Sequence, residues 1–282
     1  MSWFLLLLLT SPSTLLWHQM ETDEEEDVVP ENQDDDNNPE FIIGGTELDQ
    51  TVWETSRRFL VTLTNTLADG SVFHSCTASL ISRRVVLSAA HCFTPGGTTN
   101  FKALGTVRLN IYSYDFLDGS VQVQLCPNEG GGGDCPANSA FAVRHPDYAG
   151  VDLRNDFALI FLPDIPEVNE GVVAEIVPVT LNSYSSIPED GQELELCGWG
   201  LTGTDQTESP RVPHTVKMNS FPFDQCNIMW LNKLDNSMMC TLGDGTTSVY
   251  KGDSGGPAII VDAAGQNIQV GVASFVANGK KP

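Results

Sequence analysis

A chain of 282 residues with 41% hydrophobic content can bury the core of one large domain or two small ones. Its formal net charge of -23, from 14 Lys and Arg against 37 Asp and Glu, opposes binding to nucleic acid or to an anionic membrane surface. Neither class of partner is expected, so the function is sought elsewhere.

The chain begins with "WFLLLLLT", an apolar run shorter than a membrane span and followed by the small residues Ser11, Pro12 and Ser13. That pattern reads as a secretory signal peptide over residues 1–20. The basic flank is missing and "LLWHQM" prolongs the apolar character, which leaves the cleavage point open and keeps an anchored form as the alternative. No later stretch is suited to span a bilayer. Residues 21–40 carry eleven acidic side chains and no Lys or Arg, too little apolar surface to offset the entropy of ordering. Residues 21–41 are therefore expected to be disordered, as a solubilising tail or a partner-binding segment.

From Ile42 onward short apolar or alternating runs recur, among them "RFLVTLTNT", "RRVVLSAA", "DFALIFLP", "ELELCGWG", "PAIIVDAA" and "IQVGVASFV". Turn clusters such as "ADGS", "TPGGTTN" and "NEGGGGD" separate them, a spacing that predicts an all-β sandwich or barrel. Seven cysteines behind a signal peptide point to an oxidising destination. Three local pairs suggest themselves: Cys76 with Cys92, Cys126 with Cys135, and Cys226 with Cys240. Cys197 is left as a buried thiol or as the partner of something absent.

Three stretches carry chemistry: "LSAAHC" with His91, "RNDFALI" with Asp156 and "KGDSGGP" with Ser254. Each alone reads as structural, a histidine beside a cysteine, an aspartate before a strand, a tight turn. Together they supply what acyl transfer requires. A serine hydroxyl needs a base within hydrogen-bond reach and a third group that fixes the base's tautomer. Gly252 and Ser254 can add a second element, two backbone amides converging on a developing oxyanion.

The order and spacing of "IIGGTE", "LSAAHC", "HPDY", "NDFALI", "GWG" and "GDSGGP", from Ile42 to about Val276, resemble the chymotrypsin-fold serine peptidases: the trypsin, chymotrypsin and elastase family. The resemblance implies two packed six-stranded antiparallel Greek-key barrels with the active site between them. It makes residues 42–282 a peptidase domain and residues 21–41 a propeptide. It implies a secreted, monomeric serine endopeptidase that takes protein or peptide substrates, meets protein inhibitors, and needs no cofactor or metal. His91 would act as base, Asp156 as its orienter and Ser254 as nucleophile. Cleavage after Phe41 by another peptidase would free the amine of Ile42 to pair with Asp253. Phe41, where trypsin-activated relatives carry Lys or Arg, implies an activator that prefers aromatic residues.

By the same resemblance Ser248 floors the substrate pocket and Ser274, Phe275 and Val276 form its wall. An uncharged floor disfavours basic substrates, and Val276 favours an elastase-like preference for small apolar residues over a chymotrypsin-like one. Two features depart from the family pattern. Tyr250 stands where a pocket-bracing cysteine is usual, and "ANGKKP" ends where relatives continue into another barrel strand and a terminal helix. A C-terminally truncated second barrel with an open edge is therefore expected. A catalytically inactive homologue that acts by binding stands as the alternative function.

Overall fold

The computed structural model describes residues 3–8, 44–66, 72–94, 105–115, 119–126, 136–148, 150, 154–170, 172–202, 209–244 and 246–276. Ile42, Cys135 and the acidic run lie outside them. Among the described residues fifteen strands carry the fold: β1 (Trp3–Leu8), β2 (Thr46–Glu47), β3 (Leu60–Thr66), β4 (Val72–Ser82) and β5 (Val85–Ser88) come first. There follow β6 (Gly105–Leu109), β7 (Val121–Cys126), β8 (Ala140–Arg144), β9 (Ala158–Phe161) and β10 (Thr180–Leu181). The last are β11 (Glu193–Gly198), β12 (His214–Phe221), β13 (Met238–Leu242), β14 (Pro257–Val261) and β15 (Asn267–Val276). Helices are short; one, Phe223–Met229, follows β12. No helix among the described residues is long and apolar enough to cross a membrane.

The first half closes into a barrel in the order β3-β4-β5-β9-β8-β7-β6. Seven strands stand where six were expected. Residues 127–135 between β7 and β8, rich in glycine at 130–133, lie outside the described residues. The flanking pieces β7 and β8 meet in a short parallel pairing, Leu125 opposite Ala140 and Cys126 opposite Phe141. Leu60, Leu80, Val86, Val107, Leu109 and Ile160 fill the interior.

In the second half β11, β12, β13, β15 and β14 take the positions expected of the second barrel, and β1 pairs with both β13 and β15. The ring is thereby closed. The edges expected to stand open are paired by β1 among the described residues. Strand β12 shows the half-buried alternation clearly: His214, Val216, Met218 and Ser220 point inward, and Lys217 and Asn219 outward. Leu194, Val216, Met218 and Val270 make up this barrel's core. A smaller cluster of Leu87, Ala89 and Val272 joins β5 of the first barrel to β15 of the second.

Candidate active site

His91 sits in a helical turn, Ala90–Phe93, entered directly from β5. The buried small residues Ala89 and Ala90 let that turn tuck against the core, and the Cys76–Cys92 disulfide ties it to β4. Asp156 precedes β9, which pairs with β5, so the two residues arrive at the same end of adjacent strands. The fully buried carboxylate of Asp156 accepts the His91 backbone N–H at 2.7 Å on Oδ1 and lies 2.6 Å from His91 Nδ1 on Oδ2. The hydroxyl of Ser274 donates to Oδ2 at 2.5 Å. An ionised carboxylate only accepts, so Nδ1 carries the proton and the Nε2 lone pair remains free to act as a base.

Ser254 lies in the loop between β13 and β14. Its carbonyl accepts the Thr77 N–H at 2.9 Å, while the Gly255 N–H donates to Ala273 and the Ala273 N–H to Gly256. Thr77 fixes both sides of the site, because its own carbonyl takes the hydroxyl of Ser88, three residues before His91. Within the loop the amides of Asp253, Gly255 and Gly256 donate to backbone carbonyls. Those of Gly252 and Ser254 have no acceptor among the described residues. They are the two amides the sequence had singled out for an oxyanion.

Gly252 adopts φ +100°, a conformation that glycine tolerates and side chains resist. Its carbonyl accepts His74 Nε2–H at 2.8 Å and the Thr77 hydroxyl at 3.0 Å. Burial pushes the His74 pKa down to about 4 against the opposing pull of that carbonyl, so the ring is neutral. Nδ1 then accepts the hydroxyl proton of Thr62 at 2.6 Å, with Tyr114 3.1 Å away. Sequence reading passed over His74; the only local signal is a polar residue two before Cys76, just ahead of the buried stretch of β4.

Asp253 is buried beneath this loop. Its oxygens accept the N–H groups of Gly200 and Tyr250, each at 2.9 Å. The reason for the glycines of "GWG" is visible here: a Cβ on Gly200 would lie 2.3 Å from Asp253 Cγ, and one on Gly198 2.5 Å from Oδ1. Burial raises the Asp253 pKa to about 7, the two hydrogen bonds opposing.

The expected pocket residues separate. Ser274 and Phe275 are neighbours on β15 and so face opposite sides of the sheet. Ser274 serves Asp156, whereas Phe275 packs edge-on against Trp230 with ring centroids 5.3 Å apart. Ser248 is buried and donates to the Val249 carbonyl at 2.9 Å. The side chain of Val276 lies outside the described residues. The pairs Cys76–Cys92 and Cys226–Cys240 are bonded, and Cys126 is disulfide-bonded although Cys135 is not described. Cys197 is the buried thiol that one reading expected; burial raises its pKa, and its S–H donates to Glu195, which Arg57 grips at 3.0 and 3.1 Å.

Comparison with known proteins agrees with this geometry. The family model described as Trypsin matches residues 42–282. Anionic trypsin of Canis lupus familiaris is 30% identical over 188 residues, 66% of this chain and 65% of that protein. Trypsin II-P29 of Gallus gallus is 30% identical over 190 residues, covering 67% and 66%. Melanization protease 1 of Drosophila melanogaster is 27% identical over 221 residues, 74% of this chain and 52% of that protein. The chain thus spans just under two thirds of the length of the two trypsins and about half of the third relative. On the match over residues 42–282, the chain belongs to the trypsin family of chymotrypsin-fold serine peptidases.

Proposed function

We propose that the chain is a secreted serine endopeptidase, made as a zymogen, that hydrolyses peptide bonds through Ser254, His91 and Asp156. The observation that carries this is the buried Asp156 carboxylate holding His91 Nδ1, beside a loop whose Gly252 and Ser254 amides have no acceptor among the described residues. In the proposed cycle His91 Nε2 takes the Ser254 proton as Oγ attacks the scissile carbonyl. The two amides receive the oxyanion. His91 then protonates the leaving amine, and water repeats the sequence on the acyl-enzyme. Proton transfer of this kind contributes about 10² to 10⁴ in rate, and one oxyanion donor about 10² to 10³.

Activation follows from Asp253. A carboxyl taken out of water with only two amide donors is poorly compensated, and a cation delivered beside it would be strongly held. Cleavage after Phe41 by an aromatic-preferring peptidase supplies that cation as the ammonium of Ile42. Substrates are proteins or peptides, and the neutral Ser248 favours small apolar or other uncharged residues on the acyl side. The enzyme acts as a monomer outside the cell, within reach of protein inhibitors. The test is labelling with a fluorophosphonate after cutting at Ile42. Uptake at Ser254 that Ser254→Ala abolishes is expected; a cut protein that takes up no label refutes the assignment.

A further inference from the structure

The groups proposed to react come from two different barrels. His91 and Asp156 stand on the first, beside β5 and β9, whereas Ser254 and Ser274 belong to the second, before β14 and on β15. Whether Ser254 meets His91 therefore depends on how one barrel sits against the other. Apolar burial brings the barrels together without fixing a direction. A polar pair at the contact does fix one. Gln269 on β15 and Ser79 on β4 are both fully buried, at 0% exposure. The Ser79 hydroxyl donates to Gln269 Oε1 at 2.7 Å, and Gln269 Nε2 donates to the Gly271 carbonyl at 3.0 Å. That carbonyl can only accept, so the NH₂ of the amide must face it and the amide oxygen must face Ser79.

Both residues adjoin contacts of the site. Ser79 is two residues along β4 from Thr77, whose N–H holds the Ser254 carbonyl. Gln269 is five residues along β15 from Ser274, which donates to Asp156. The segment that connects the barrels is held at the same place: the Val179 N–H donates to the Leu80 carbonyl on β4 at 3.0 Å, and the Asn182 N–H to the Gln269 carbonyl at 2.9 Å. We propose that Gln269 is a positioning residue, and that its hydrogen bond to Ser79 locks the barrels in the register that brings Ser254 to His91. This rests on the reading of those two residues as nucleophile and base. A leucine of similar volume would fill the same space without burying polar atoms; what the amide adds is direction. A misplacement of about 1 Å between reacting groups costs about 10²-fold in rate, so a small slip at this contact is enough to matter.

The test replaces both partners, Ser79→Ala together with Gln269→Leu, in the full chain cut at Ile42. Exchanging two mutually satisfied polar groups for apolar ones leaves stability nearly unchanged, so the urea midpoint is expected to stay at the parent's. On a peptide amide, kcat per folded molecule is expected to fall roughly tenfold, with KM within about twofold and the rate of fluorophosphonate labelling falling in step with kcat. A merely structural pair would change activity only through the folded fraction; a double variant with the parent's midpoint and the parent's kcat overturns the proposal. If the double variant does not fold, Ser79→Ala alone is read in the same way, with the same expected fall in kcat and the same refutation. A second arm, independent of catalysis, measures amide hydrogen exchange in Ser254→Ala chains with and without the double substitution. The Thr77 amide, which crosses to the Ser254 carbonyl, is expected to exchange roughly tenfold faster in the substituted chain, and the Val107 amide, inside the first barrel, at the same rate in both. An unchanged Thr77 rate also overturns the proposal. A parent that takes up no label refutes the catalytic reading instead, and the exchange arm then decides on the lock by itself.

Discussion

The buried carboxyl of Asp253 makes the uncut precursor's stability depend on pH in an unusual direction. Its pKa is raised to about 7 by burial, against about 3.9 for an aspartate in an unfolded chain. Between those values the unfolded chain has released a proton that the folded chain still holds. Stability therefore falls as pH rises through this window, by about 1.4 kcal/mol per unit and about 4 kcal/mol in all, then levels above pH 7. Most paired aspartates do the opposite.

The perturbation that isolates this is Asp253→Asn in a Ser254→Ala background, which prevents self-digestion. The amide cannot ionise. It does turn an NH₂ toward one of the two N–H donors, at a cost of about 1–3 kcal/mol that is the same at every pH. Urea denaturation of both proteins at pH 4.5, 5.5, 6.5 and 7.5 gives the difference in stability. That difference is expected to move by several kcal/mol in favour of the asparagine variant as pH rises. His74 titrates in the same range but is present in both proteins, so it cancels. A difference that stays flat from pH 4.5 to 7.5 would refute the reasoning. After cleavage at Ile42 the trend is expected to reverse, because an ammonium beside Asp253 lowers its pKa.

Removing the Ser274 hydroxyl deletes one of the hydrogen bonds to the Asp156 carboxylate; Ser274→Ala is expected to lower kcat/KM roughly tenfold, read with an ester substrate, while the protein stays folded. His74 is neutral when folded and basic when unfolded, so acid favours unfolding from about pH 6.5 down to about pH 4. His74→Gln is expected to flatten that decline in the same urea series. Arg57→Met leaves Glu195 half-buried without its counter-charge; a loss of about 3–5 kcal/mol is expected by denaturation, with unchanged activity per folded molecule.

What could be read in the sequence and what could not divides along one physical line. The runs around His91, Asp156 and Ser254 stand out in the sequence because each is a short local pattern whose composition is dictated by its own turn. The barrels were legible for the same reason, from short apolar strands between turn clusters. The bonded cysteines are 16 and 14 residues apart, close enough for spacing to suggest them. The rest depends on partners far along the chain. His74 acquires its place from Thr62, Tyr114 and Gly252 together, none of which marks it out alone. Ser274 and Phe275 meet different partners, Asp156 and Trp230, as the two-residue period of a strand directs, and neither partner is near them in the sequence. For β1 no such rule was available. Hydrophobicity records only that a segment avoids water, and a leader and a central barrel strand avoid it equally. The pairing of β1 with β13 and β15, more than two hundred residues away along the chain, belongs to the folded molecule and not to any stretch of it.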